Sequence, residues 1–277
     1  MSLAVTPLDA SAGALAPRLA IAIALMGMIA APAYGAACTA KSGAQSVPLV
    51  ELYTSEGCSS CPPADKWLSA TFARNTARSA GIALAFHVDY WDRLGWKDRF
   101  ATPAFTQRQY EGMRASGARF VYTPQVVVQG RDFPQWHDRS AIAALTAAAA
   151  KPARAEITLA AEREKGSILV KAAARVPSSA DRKGTALYVA LADDGLASDV
   201  KAGENAGVRL VHDNVVRVFR AGPSPDASGE MRWELKLPVP AEAGSASTVI
   251  AFVQNATAGD VLQALALPLA AECAPNR

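Results

Sequence analysis

Two cysteines separated by two residues stand where their thiols would be reactive. Cys58 and Cys61 lie in EGCSSCPPAD, directly after the β-prone run Val47–Ser55 and directly before a prolyl pair and a stretch with helical apolar spacing. At such a strand-to-helix turn, unpaired backbone N–H groups and the helix dipole stabilise a thiolate. The pattern predicts thiol–disulfide exchange, in which Cys58 attacks and Cys61 resolves the mixed disulfide. Ser59 and Ser60 offer hydroxyl donors to sulfur and substrate.

Two other interpretations of the cysteine pair stay open. The first is a fixed disulfide in a binding module without catalytic activity. The second is a copper or other metal carrier, since thiolates and imidazoles suit copper and His87 and His137 are available. A CxxC supplies two of the usual four zinc ligands, and neither a second CxxC nor an HxxxH completes the set. We therefore predict an oxidoreductase with neither a metal nor a cofactor.

The N-terminus predicts export. Arg18 is followed by the apolar run 19–31 and a small-residue tract with A-x-A spacing, which is typical of a signal peptide over residues 1–37. The run is short for a membrane span, although an uncleaved anchor and lipidation at Cys38 are alternatives. We expect a periplasmic or secreted protein with no stable membrane span after cleavage. Disulfides persist there, so we expect Cys58–Cys61 to pair locally and Cys38 to pair with Cys273, because chain ends are often close in space.

Composition bounds the partners. The 277 residues include 28 Lys plus Arg against 25 Asp plus Glu, scattered along the chain. This balance lacks the basic patch of a nucleic-acid-binding protein, so no nucleic-acid partner is expected.

The periodicity of apolar residues predicts two domains. Residues 47–151 follow the order β, α, β, α, β, β, α, with near-continuous apolar strands of the kind found in parallel sheets. Residues 154–272 contain several short alternating strands and predict an antiparallel β-sandwich. The boundary is expected at Lys151–Ala155. The predicted fold class is an α/β domain followed by this sandwich.

The stretch VYTPQVVV, some sixty residues after the cysteines, resembles a hallmark of the thioredoxin superfamily. In that superfamily a cis proline at the start of a central strand packs against the active-site disulfide, and the backbone of the preceding residue pairs with substrate. Pro124 and Thr123 match these positions. The resemblance implies a thioredoxin-like first domain.

A closer resemblance covers the chain from about Val47 to the C-terminus. EGCSSCPPAD, HVDYWDRLGWKDRF, TQRQY and VYTPQVVVQG are similar to a family of secreted bacterial thioredoxin-like proteins catalogued mainly as a domain of unknown function. This chain carries the signature of that family at Cys58, Cys61, Asp65, His87, Asp89, Trp91, Trp96, Pro124 and Gln125. It implies thiol chemistry with a protein or small-molecule thiol or disulfide as partner. Unlike ordinary thioredoxins, the chain has Ser-Ser between the cysteines and two prolines after them.

Further site residues follow from these resemblances and from spacing. Thioredoxins keep a buried acid beneath the disulfide, and Glu51 is the nearest candidate, one residue upstream of the common spacing. Trp91 and Trp96, with Gln125, are expected to line a substrate groove. The alternative is an ordered loop in which the tryptophans cover the core and His87 is hydrogen-bonded.

One polar stretch of the second domain has two interpretations. Residues 201–217 contain His212, Asp213 and Asn214 and are unusually polar for a strand connection. They could form a partner-binding loop. We favour the other interpretation, in which Asp213 and Asn214 make a turn before a strand.

Overall fold

The structure is a computed structural model and describes residues 38–72, 81–138, 140–270 and 273. All of them belong to one compact unit, residues 34–277. The expected signal peptide, residues 1–37, lies outside the described residues. Within the described ranges, no helix combines the length and apolarity needed to cross a membrane.

The N-terminal segment has the expected order of elements. After a short strand β1 (Cys38–Lys41), the chain forms β2 (Leu49–Thr54), α1 (Pro62–Thr71), β3 (Ile82–His87), α2 (Pro103–Ser116), β4 (Gln125–Val128), β5 (Arg131–Asp132) and α3 (Ser140–Ala149). A 3-10 helix at Asp89–Leu94 lies between β3 and α2. The strand order is β3-β2-β4-β5, with β2 and β3 parallel and β4 antiparallel to both neighbours.

Burial on both faces explains the apolar sequences of β2 and β3. Every residue of these two strands is buried, as is usual for parallel strands covered on both sides. On one face, Val50 and Leu52 pack with Leu68 of α1 and Leu145 of α3. The other face packs against Phe105 of α2 and residues of the C-terminal segment. The sheet is therefore the centre of this half of the protein.

The C-terminal segment consists of two facing antiparallel layers and a separate antiparallel sheet of two strands, its fourth and fifth. Its strands are β6 (Glu156–Glu164), β7 (Ser167–Arg175), β8 (Thr185–Asp194), β9 (Leu196–Asp199), β10 (Arg209–His212), β11 (Val215–Ala221), β12 (Glu230–Pro238), β13 (Ala246–Asn255) and β14 (Val261–Pro268). One sheet has the order β1-β6-β7-β12, and strands β14-β13-β8-β11 form the facing layer. Alternating side chains of both layers, such as Leu159, Val170 and Val249, share one apolar core. A 3-10 turn, Ser179–Asp181, precedes β8.

The two segments share one sheet of eight strands. β11 lies parallel to β3, with Val215 opposite Ala85, and the Ala85 N–H donates to the Asn214 carbonyl at 2.8 Å. The resulting order is β14-β13-β8-β11-β3-β2-β4-β5. The molecule is thus a β-rich α/β fold with several sheets and three α-helices in the described residues. Strands from both sides of the expected boundary hydrogen-bond to each other, and the limits 47–151 and 154–272 stay a prediction.

A disulfide joins the first described strand to the end of the chain. Cys38 is bonded to Cys273, 235 residues further along, with the Cα atoms 5.2 Å apart. This is the pairing expected from the sequence, and it ties β1 to the residues that follow β14.

Candidate functional site

The second disulfide, Cys58–Cys61, closes the turn between β2 and α1. The Cys58 N–H donates to the Ser55 carbonyl (3.1 Å), and the Cys61 N–H donates to the Cys58 carbonyl (3.2 Å). Cys61 immediately precedes α1, and its carbonyl accepts from Ala64 N (2.9 Å) in the first helical turn. The disulfide therefore lies at the positive end of α1, where the helix dipole favours negative charge.

The two prolines remove N–H donors from this helix end. Pro62 and Pro63 occupy the first two positions of α1, and proline has no backbone N–H. The next N–H, of Ala64, is already bonded to Cys61. A side chain supplies the polar contact instead: the Ser60 hydroxyl lies 3.4 Å from Cys58 Sγ. A Cys58 thiolate would thus depend on Ser60 and the dipole, rather than on the free N–H groups expected from the sequence.

Two tryptophans near β3 enclose the turn. Trp91 Nε1 donates to Thr123 Oγ1 at 2.7 Å, and Trp96 Nε1 donates to Glu56 Oε2 at 2.7 Å. Trp91 also lies against Gly57, where an added Cβ would stand 3.1 Å from Trp91 Cβ. The Thr123–Pro124 peptide bond is cis. Trp91 thus bridges the residue before the cysteines and the residue before the proline.

A loop of the C-terminal segment covers the same turn. Glu204 Oε2 accepts hydrogen bonds from Ser59 N (3.0 Å) and Ser59 Oγ (2.7 Å). The buried Asn205 Nδ2 donates to the carbonyls of Glu56 (2.8 Å) and Cys58 (3.0 Å). Neither Cys58 nor Cys61 has accessible surface, with 0 % exposed. The disulfide is therefore enclosed by side chains from both segments.

Charged groups are buried beside the disulfide. His87 Nδ1 and Asp98 Oδ2 are 2.6 Å apart and fully buried, and Asp98 Oδ2 also accepts from Glu56 N at 2.9 Å. His212 Nε2 of β10 lies 3.4 Å from Glu56 Oε1, an ion-pair separation without hydrogen-bond geometry. The rings of His87 and His212 meet edge to face, 4.9 Å between centroids. Residues distant in sequence thus form one cluster beneath the CxxC turn.

Mutual attraction keeps charge in this cluster. Burial alone opposes charge on His87, but the Asp98 carboxylate outweighs it and raises the pKa of His87. Burial likewise opposes ionisation of Asp98, and the facing His87 lowers its pKa overall. Burial would also raise the pKa of Glu56, yet the His212 contact and the Trp96 N–H lower it. His87, the last residue of β3, is hydrogen-bonded to Asp98 of the following loop, in agreement with the hydrogen-bonded His87 of our second interpretation.

Asp65 is the acid on α1 one turn after Cys61. It is 7 % exposed, and Thr54 Oγ1 donates to its Oδ2 at 3.2 Å. Burial raises the pKa of Asp65, although the nearby His212 and His87 oppose the rise. Asp65 is therefore a buried carboxyl group on the α1 side of the sheet, which Glu51 is not.

Glu51 does not take the position expected of it. In β2, Val50 and Leu52 face α1, so Glu51 points to the opposite face of the sheet. There Arg108 of α2 binds it through two 2.8 Å hydrogen bonds, and Tyr53 Oη donates to it at 2.8 Å. The face of the strand therefore separates Glu51 from the cysteines, and its role is an ion pair in the core.

Arg108 stands in an aromatic enclosure. Its guanidinium carbon lies 4.6–5.5 Å from the ring centroids of Phe86, Tyr188, Phe219 and Phe252, and it also donates to Gln254 at 3.1 Å. Burial alone would lower the pKa of Arg108, but Glu51 outweighs it and raises the pKa. Because three of these rings belong to β8, β11 and β13, the pair connects the two segments.

The remaining predicted site residues divide between surface and core. Ser59 and Ser60 are exposed at the turn. Gln125 is buried, with its amide bonded to Gln109 (2.8 Å) and Asp132 (3.1 Å), so its side chain faces the interior rather than a substrate groove. The structure therefore places Ser59 and Ser60 within the CxxC turn and separates Glu51 from it. Trp91 and Trp96 contact the residues just before the cysteines, and Thr123 is connected to the turn through Trp91.

The described residues do not form a ligand set of the kind that the copper interpretation requires. His137 is 63 % exposed beside Asp138, and its ring packs on Trp136. His87 uses Nδ1 for Asp98. No group of three or more His, Cys, Asp or Glu side chains within the described ranges could hold a metal ion.

Several residues of the site were not predicted as site residues from the sequence. Glu56, Asp98, Glu204, Asn205 and His212 all border the disulfide or the cluster beneath it. The polar stretch 201–217 was the one sequence signal that pointed to some of them. The structure agrees with the favoured interpretation, because Asn214 has a positive φ of 58° in the turn before β11. Residues upstream contact the CxxC turn of the same chain, and partner binding by this stretch stays a prediction.

Comparisons with known proteins give a family without a known activity. The crystal structure of protein AGR_C_4864 from Agrobacterium tumefaciens is similar, with 26 % identity, a TM-score of 0.55, and coverage of 82 % of this chain and 96 % of that one. HBP35 of Porphyromonas gingivalis has 14 % identity, a TM-score of 0.60, and coverage of 82 % and 76 %, and shares the fold alone. None of the curated proteins matches. The family model for proteins of unknown function called DUF1223 matches residues 49–254, so this chain belongs to that family.

Proposed function

We propose that this protein is an exported, thioredoxin-like thiol–disulfide oxidoreductase that exchanges disulfides with a protein or a small thiol. The observation that carries the proposal is the Cys58–Cys61 disulfide at the N-terminus of α1, beside Trp91, which donates to Thr123, the residue before Pro124. A disulfide at a helix N-terminus favours departure of a thiolate, which is the requirement for exchange.

The topology of the N-terminal segment supports the thioredoxin-like assignment. The order β3-β2-β4-β5, with β2 and β3 parallel and the cysteines directly after β2, fits the arrangement implied by the resemblance of VYTPQ and CSSC to that superfamily. Residues 47–151 would then be the catalytic domain, and residues 154–272 the sandwich domain that partly encloses it.

The reaction needs no further reactant, but the side chains that enclose the disulfide must first move aside, because neither cysteine is exposed. A thiolate of the partner attacks Cys58 Sγ, the Cys58–Cys61 bond breaks, and Cys61 leaves as a thiolate that takes a proton. A second partner thiolate attacks the mixed disulfide and releases Cys58. The partner is oxidised by two electrons to a disulfide, and the protein is reduced to a dithiol. In the reverse direction Cys58 attacks and Cys61 resolves.

Export is part of the proposal. Two disulfides, one of them between distant parts of the chain, are typical of proteins outside the reducing cytosol. The apolar N-terminal run of the sequence agrees with a periplasmic or secreted location.

The test is the reduction potential of each disulfide in the folded protein. The protein is equilibrated with glutathione buffers, free thiols are alkylated, and each pair is quantified by mass spectrometry. Cys38–Cys273 serves as an internal control that should stay oxidised. We expect a potential between about −120 and −270 mV for Cys58–Cys61. A value below roughly −300 mV would identify a structural disulfide and overturn the proposal.

Partial labelling tests the two roles. After mild reduction, a substoichiometric thiol reagent should modify Cys58 before Cys61, because Cys58 is the proposed nucleophile. Equal labelling would contradict the assignment. Stoichiometric copper bound by the reduced protein, with no exchange activity, would favour the metal-carrier alternative.

A further inference from the structure

The loop Lys201–Val208, which we call the cover loop, is built onto the CxxC turn from the C-terminal segment. Asn205 anchors it through hydrogen bonds to the Glu56 and Cys58 carbonyls, and Asn205 itself is 6 % exposed. A Cβ added at Gly203 would lie 3.4 Å from Trp96 Cβ, so the cover loop also packs against Trp96. These contacts fix the cover loop over Cys58, which has no exposed surface.

The cover loop brings a negative charge to the outer side of the disulfide. Glu204 is exposed. Its carboxylate accepts hydrogen bonds from the N–H and the hydroxyl of Ser59, which is the residue next to Cys58. These two hydrogen bonds lower the pKa of Glu204, so it is a carboxylate at neutral pH. Because Cys58 has no exposed surface, a thiolate reaches its Sγ only when the cover loop moves aside, and the exposed Glu204 beside Ser59 then borders the way in. The charge on the rest of the thiol molecule interacts with this carboxylate as the thiol enters.

We propose that Glu204 is a specificity determinant that disfavours thiols carrying a negative group near the sulfur and favours thiols carrying a positive one. This inference rests on the proposed exchange reaction and adds the substrate class. The step is attack of a thiolate on Cys58 Sγ, with Cys61 leaving. Glu204 takes no part in bond changes and acts through charge, while Asn205 positions it.

Three small thiols separate charge from size. 2-Aminoethanethiol is cationic, 2-mercaptoethanol is neutral, and 2-mercaptoethanesulfonate is anionic, on the same two-carbon frame. The rate at which each opens Cys58–Cys61 is measured by rapid alkylation and mass spectrometry, and is divided by the thiolate concentration. Wild-type protein, Glu204→Gln and the control Glu234→Gln are compared at low salt. Glu234 is a 62 % exposed glutamate on β12.

The ratio of the cationic to the anionic rate is the readout. We expect a ratio of about tenfold in the wild type, a fall to about twofold or threefold in Glu204→Gln, and the wild-type ratio in Glu234→Gln. High salt should lower the wild-type ratio, because exposed charges are screened over about 3 Å at 1 M ionic strength.

Each other outcome overturns either the role of Glu204 or the proposed exchange reaction on which that role rests. An unchanged ratio in Glu204→Gln, or equal acceleration by all three thiols, would mean that Glu204 does not select by charge. Failure of every thiol to open Cys58–Cys61 in all three proteins would instead reject the exchange reaction itself. As a second variant, Asn205→Ala should lower the ratio as well, because it releases the cover loop that positions the carboxylate.

Discussion

Replacing Glu51 by glutamine tests the core ion pair and the location of the redox site together. Glu51→Gln keeps the side-chain shape and removes the charge that neutralises Arg108. Both side chains are buried, 4 % and 9 % exposed, and share two 2.8 Å hydrogen bonds. Removing one partner of a buried pair costs about 3–5 kcal/mol, since the other charge is left uncompensated. The aromatic rings and Gln254 still contact the guanidinium, so we expect about 3 kcal/mol.

Urea unfolding with both disulfides intact measures this cost. At a slope of about 2–3 kcal/mol/M, the midpoint should fall by roughly 1–1.5 M. Glu111→Gln, which neutralises an exposed glutamate of the same helix as Arg108, should change the free energy of unfolding by less than about 0.5 kcal/mol. The double variant Glu51→Gln/Arg108→Met should recover part of the loss, because no uncompensated charge stays in the core.

Disulfide reactivity in the same variant tests the position of Glu51. Because Glu51 lies on the face of β2 away from α1, the rate at which thiols open Cys58–Cys61 in folded Glu51→Gln should stay within about twofold of wild type. A wild-type urea midpoint combined with a tenfold change in that rate would place Glu51 in the redox site and refute its assignment to the opposite face of β2.

Three further predictions concern stability. First, the pKa of Asp65 is raised by burial above its unfolded value near 3.8, so its ionisation lowers stability as pH rises past that value. Asp65→Asn should therefore gain stability over wild type from pH 4 to 7 in urea titrations, and a constant difference would contradict this. Second, the lowered pKa of Asp98 and the raised pKa of His87 make their pair fully stabilising between about pH 4 and 6.5, with loss as pH falls through the Asp98 pKa or rises through the His87 pKa. Asp98→Asn should cost roughly 3 kcal/mol near pH 5.5 and less at pH 9, whereas an equal cost at both pH values would count against the pair. Third, replacing Cys38 and Cys273 by serine opens a loop of 235 residues and should cost up to about 5 kcal/mol, seen as a lower melting temperature. An unchanged melting temperature would argue against this constraint.

The order of elements was predictable because apolar periodicity and turn residues are local signals. The order of strands and helices in residues 47–151 is confirmed, and so are most strands after Pro152. Four strands, β1, β9, β10 and β14, were not predicted. The first three have only four residues each, too short for a clear alternation. β14 has the sequence VLQALALP, an apolar run that lacks the alternation of polar and apolar residues typical of a half-buried strand.

The face of a strand was harder to predict than its presence. Every residue of β2 is buried, so alternation of polar and apolar residues could not show that Glu51 faces α2 rather than α1. The sequence pointed to Glu51 as the acid on the strand that leads into the CxxC, although it lies one residue upstream of the common spacing, and a shift of one residue along a strand reverses the face. The partner that decides the matter, Arg108, lies 57 residues away and has no local signature.

The site also depends on contacts between distant parts of the chain. Glu204 and Asn205 reach the CxxC turn across 145 to 149 residues, and His212 meets Glu56 only because β11 joins the sheet beside β3. A single sequence carries no information on such pairings. It did predict that cysteines 58 and 61 would stand together at a helix start.

The bond between Cys38 and Cys273 closes residues 38–273 into a covalent ring. In such a ring, the fold need not depend on which peptide bond is left open as the two ends of the chain. A circular permutant opened at the exposed turn Lys165–Gly166, between β6 and β7, with the present ends linked by a short peptide, should keep all its sheets. Such a protein would place the CxxC near the middle of the chain.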